Sequence, residues 1–94
     1  MMFLVVTFPN PARPSEIKEA RLPFFTWIED LKKKKKVICA YPKVGRGFIA
    51  IFDVASNIEL HKYMTQWMDI MPVNYDIYLL LDPAEAQNYL KTGE

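Results

Sequence analysis

The sequence predicts an α+β sandwich in the order β-α-β-β-α-β with a short C-terminal helix, a single domain spanning residues 1-94. Three observations predict it. The runs MFLVVTF, VICAY, FIAIFDV and VNYDIYLLL are rich in β-branched and aromatic residues and read as strands. Two longer segments between them carry apolar residues at three-and-four spacing, the stripe of an amphipathic helix. Only the turn signal PKVGRG separates the second strand from the third, so those two form a hairpin.

In chain order, the first strand covers 2 to 8 and ends where PNPARP cannot continue a ladder. Ser15 is the expected N-cap of helix one, with Glu16 and Glu19 near the positive end of its dipole. Ile17, Ala20, Phe24, Trp27, Ile28 and Leu31 form its stripe, and Arg21 stands inside it. Pro23 falls in mid-pattern and predicts a kink or a restart over 20 to 24. LKKKKK closes the helix with cations at its negative end. The second strand is 37 to 41 and the third 48 to 54.

Ser56 and Glu59 have the S-x-x-E spacing of a capping box, each side chain answering the other's amide. Leu60, Tyr63, Met64, Trp67 and Met71 then share a helix face until Pro72 stops it. The fourth strand is 73 to 81, and Asp82, Pro83 and Glu85 start a terminal helix running to about Leu90. This is the split βαβ or ferredoxin-like plan, with both helices on one face of an antiparallel sheet. The opposite face is apolar too, through Ile49, Ile51, Tyr78 and Leu80, so a second cover is needed. Self-association through the sheet, as a homodimer or higher homo-oligomer, supplies it.

Twelve Lys and Arg against eleven Asp and Glu leave a formal charge of +1, which gives a nucleic acid no general attraction. The lysine run lacks interleaved aromatics and reads as a solvated helix end, so no nucleic-acid partner is expected. Cys39 has no second thiol and His61 no second imidazole, so neither a disulfide nor a metal site is expected. No phosphate or dinucleotide fingerprint occurs, and no cofactor is expected. MMFLVVTF is too short for a membrane span and lacks a basic leader, which points to a cytoplasmic protein without a membrane partner.

His61 lies on the border of the second helix's apolar stripe, either as a surface or hydrogen-bonded residue or, by its near-neutral intrinsic pKa, as a catalytic acid or base. Tyr41 is a second proton-handling candidate. A guanidinium in a buried stripe needs a carboxylate, so Arg21 meets one from the protein or from a ligand. Arg46 shares a strand face with Phe48 and either joins Arg21 at an anionic ligand or is a solvated turn residue. The aromatics Phe24, Trp27, Tyr41, Phe48, Tyr63 and Trp67, with Met64 and Met68, either wall a substrate pocket or simply fill the core.

The segment FDVASNIELHKYM resembles the muconolactone isomerase family, whose members carry a similar F-D-V-x-S-x-x-E-L-H segment between third strand and second helix. The resemblance extends more weakly from EIKEAR to YDIYLL. It implies a dimeric α+β barrel in which subunits pair through their sheets and an acidic lactone is isomerised by proton transfer beside a carbonyl. His61 matches the family histidine. The family's Glu after the Ala-Arg pair is replaced here by Leu22 and Pro23, or by Phe24 when counted back from Leu31. Arg46 and Phe48 stand where the family has a tyrosine and an asparagine. The expectation is a divergent isomerase or cyclase-like enzyme for a lactone or other oxygenated substrate, carboxylate-bearing if Arg21 and Arg46 hold it. The alternative is a non-catalytic small-ligand-binding or assembly protein on the same fold.

Overall fold

The computed structural model describes residues 1–8 and 18–92. The expected cap at Ser15, with Glu16 and Ile17, lies outside the described residues. The elements are β1 (Met2–Phe8), α1 (Lys18–Lys33), β2 (Val37–Pro42), β3 (Phe48–Asp53), α2 (Asn57–Ile70), β4 (Asn74–Leu80) and α3 (Pro83–Thr92). The order is the one read from the sequence, and α3 runs two residues past the expected Leu90.

Pro23 neither breaks nor restarts α1, which continues through it. A proline there removes one helical donor and orphans the Glu19 carbonyl, but both residues are exposed and water can serve that carbonyl. The lysine run ends the helix by backbone geometry as well as by charge. The Lys36 amide donates to the Leu31 carbonyl at 2.9 Å and the Lys35 amide to Lys32 at 3.0 Å, with Lys35 at φ 61°. These bonds make a Schellman motif with lysine in the place usually given to glycine.

The four strands form one antiparallel sheet in the order β2-β3-β1-β4. Register decides the faces, because residues directly opposite share one. Val5 pairs with Ala50 and Ile77, and Leu4 with Ile51 and Tyr78. Phe3, Val5, Phe48, Ala50 and Phe52 are buried on the helix side, with Phe24, Ile28 and Leu31 from α1 and Leu60, Tyr63, Met64 and Trp67 from α2. On the same side Tyr75, Ile77 and Leu79 are 38%, 40% and 64% exposed, so the helix layer stops short of β4. Helix α3 has no buried residue. No helix among the described residues is long and apolar enough to cross a membrane.

At the start of α2 the Glu59 amide donates to Ser56 Oγ at 3.2 Å, half of the expected capping box. The other half differs. The Glu59 carboxylate accepts from Lys36 Nζ at 3.0 Å, because the chain leaving α1 brings that ammonium within reach. The Lys36 hydrogen bond holds the Glu59 carboxyl below its ordinary range, with the Ala55 backbone assisting, and the same bond raises Lys36. A depressed carboxyl stabilises the fold fully above the ordinary Glu value of about 4.3 and loses that contribution as pH falls through the lower folded-state value. Glu59→Gln is therefore expected to melt below the wild type at neutral pH, with the gap closing below about pH 4; thermal melts of both proteins across pH 2.5 to 7, on the order of ten points, check it.

Candidate functional site

The helix-side end of the sheet, where β1 and β2 finish and β3 and β4 begin, is not filled by core. The β1–β3 ladder runs to the Val6–Ile49 pair, and the Thr7 hydroxyl then takes over. It accepts from the Phe48 amide at 2.8 Å and donates to the Phe48 carbonyl at 3.3 Å. Thr7 is buried, and this exchange satisfies both groups where backbone pairing has ended.

Beside it lies a cavity of about 300 Å³, at the lower limit of small-molecule sites. Its apolar wall comes from Phe24 and Phe25 of α1, Phe48 of β3 and Trp67 of α2. The Phe24 ring stands edge-on to Phe48 at 5.1 Å and tilted to Trp67 at 4.9 Å, spacings at which aromatic pairs attract. Trp67 Nε1 is buried without a hydrogen-bond partner among the described residues. Four rings surround that indole, those of Phe24, Trp27, Phe48 and Phe52.

The polar side of the cavity is cationic. Arg21 from α1 and Arg46 and Lys43 from the β2–β3 turn all line it. Arg21 is exposed rather than buried in the stripe of α1, at the rim of the cavity, while Arg46 and Lys43 are half-buried. Among the described residues neither Arg46 nor Lys43 has a carboxylate at ion-pair distance. The lining contains no Asp, Glu or His among the described residues. It can hold a negative group and stabilise charge developing on a ligand oxygen. No group of three or more metal-ligating side chains occurs among the described residues.

Of the residues singled out in the sequence as pocket or site candidates, Arg21, Arg46, Phe24, Phe48 and Trp67 share this lining and the others lie elsewhere. Trp27 is half-buried and donates through Nε1 to Gln66 at 2.9 Å. Met64 is core, and Met68 packs against the core's edge. Tyr41 is exposed near the end of β2. His61 is exposed on α2, outside the lining. Axial position accounts for it: the cavity meets α2 at Trp67, six residues further on, and six residues advance a helix by about 9 Å. Lys43 and Phe25 were not foreseen. A lysine after a proline in a glycine-containing turn carries no sequence signal beyond solvation.

No protein-family model matches this sequence, and neither does any curated protein sequence. The fold does match a solved structure. The chain is similar to 5-chloro-2-hydroxyhydroquinone dehydrochlorinase (TftG) from Burkholderia phenoliruptrix AC1100, solved in complex with 2,5-dihydroxybenzoquinone. The TM-score is 0.76 at 15% identity, over 90% of this chain and 98% of the other. That match establishes the βαββαβ α+β fold.

Proposed function

We propose that this chain is a small-molecule enzyme of isomerase or cyclase type that draws an oxygenated, carboxylate-bearing ring compound, such as a lactone, into the cavity and moves a proton beside a carbonyl. Arg46 and Arg21 hold the carboxylate and the aromatic wall takes the ring, while His61 and Tyr41 stand outside this lining and handle the proton only where the bound ligand extends beyond it. The observation that carries the reading is the juxtaposition of Arg46, without a carboxylate partner among the described residues, with a wall of Phe24, Phe48 and Trp67 in one cavity. A half-buried guanidinium beside apolar rings is costly to leave without an anion. The fold match adds support, since the neighbour is a small-molecule enzyme solved with a quinone.

A second reading has its own observation. The described lining lacks a carboxylate or imidazole that would serve as base, which favours a ligand-binding protein that performs no chemistry. One experiment separates the two. Carboxylate-bearing lactones are incubated with the protein in deuterated water and followed by NMR. Deuterium uptake beside the carbonyl, reduced about ten- to a hundredfold in Arg46→Gln, supports the enzyme; binding without uptake over hours supports the binder. In the same assay His61→Ala assigns the imidazole: uptake lost at unchanged binding places it in the proton transfer, and unchanged uptake removes it.

A further inference from the structure

The β2–β3 turn is built around one lysine. The Lys43 amide donates to the Gly47 carbonyl at 2.9 Å, and Gly45 and Gly47 take φ of +93° and +102°. A Cβ on Gly47 would lie 2.5 Å from the Thr7 carbonyl oxygen and 2.6 Å from Lys43 Cε. Only hydrogen fits between them, so the Lys43 side chain lies along the bare face of Gly47. Its ammonium ends 4.4 Å from the centre of the Phe8 ring.

Such an arrangement is uncommon for a turn lysine, whose head ordinarily stays in water. Here the stem lies in a slot that any larger residue at position 47 would close. The head rests on an aromatic face, a weaker partner than a carboxylate, and the same residue lines the cavity beside Arg46. We infer that Lys43 is the group by which the cavity selects an anionic ring ligand over a neutral one, with Gly47 and Phe8 setting the ammonium in place before the ligand arrives. Because the side chain is already ordered, less rotamer freedom is lost on binding. Lys43 thus adds a directed charge to the anion site, which Arg46 alone would hold less selectively. This inference rests on the cavity being a ligand site, as proposed above.

The test is calorimetric titration with benzoate and its neutral isostere benzamide. Wild type is expected to prefer benzoate by tenfold or more, and Lys43→Met to lose about tenfold in benzoate affinity while keeping that for benzamide. Lys43→Arg should keep most of the preference. Gly47→Ala, which retains the lysine but displaces its Cε, should lose the preference as Lys43→Met does. If Lys43→Met discriminates as well as wild type, the inference is overturned while the cavity reading stands. If Lys43→Met weakens both probes equally, the lysine shapes the turn rather than selecting charge, and the inference is again overturned. If wild type binds neither probe, or both alike, the cavity reading itself fails.

Discussion

Replacing Trp67 by alanine is expected to destabilise the fold by about 3–5 kcal/mol, a large share of the roughly 5–15 kcal/mol available to a domain. Trp67 is 1% exposed and is the largest fully buried side chain among the described residues. It touches Phe24 and Trp27 of α1, and Phe48 and Phe52 of β3, so both layers lose contacts when it is cut back. The indole N–H contributes nothing to set against this, having no hydrogen-bond partner among the described residues. Trp67→Phe should therefore cost much less than Trp67→Ala, losing volume but no hydrogen bond. Chemical denaturation of the three proteins measures the difference. A loss below about 1 kcal/mol for the alanine variant would mean the two layers do not meet at this ring. Because Trp67 also walls the cavity, the same variant should weaken ligand binding, whereas a core substitution such as Ile28→Val should not.

The aromatic stripe, the capping serine and the alternation along each strand were legible because each reports a local period. Phe48, Ala50 and Phe52 face the helices and Ile49 and Ile51 do not, as alternation requires. What could not be read depends on relations between elements. Alternation places Tyr75, Ile77 and Leu79 on the helix side but does not say that the helix layer ends before β4. The capping-box spacing is visible at Ser56 and Glu59, yet Lys36, 23 residues before Glu59, takes the carboxylate. A helical wheel sets His61 at the border of the apolar stripe, but it collapses the axis along which His61 and Trp67 are separated. The cavity was least legible of all. Lys43 becomes part of it only because Gly47 lies against Thr7, a contact between residues 40 positions apart.

Leu4→Lys is expected to give a folded monomer where the wild type, as we propose, pairs with a second copy through its outer sheet face. The outer sheet face carries Leu4 and Val6 of β1, Ile49 and Ile51 of β3 and Tyr78 of β4, with Leu4 directly between Ile51 and Tyr78 and with Asp76 opposite Val6 at the β4 edge. A sheet face left to water carries polar residues across its width, and an apolar patch spanning β3 and β1, with a single carboxylate at its β4 side, marks an interface. A second copy of the chain is the cover we propose. In a two-fold interface the same patch meets itself, so one substitution introduces two charges. A buried charge without a partner costs about 3–5 kcal/mol, which converts to roughly a hundred- to several-thousandfold in the dissociation constant. In the monomer the same lysine extends its head into water and leaves the helix-side core untouched. Sedimentation velocity with circular dichroism distinguishes the outcomes. A wild-type dimer and a folded Leu4→Lys monomer are the expected pair. A wild type that sediments as a monomer, or a variant that stays dimeric, would place the association surface elsewhere, with the uncovered helix-side residues Tyr75, Ile77 and Leu79 the next surface to substitute.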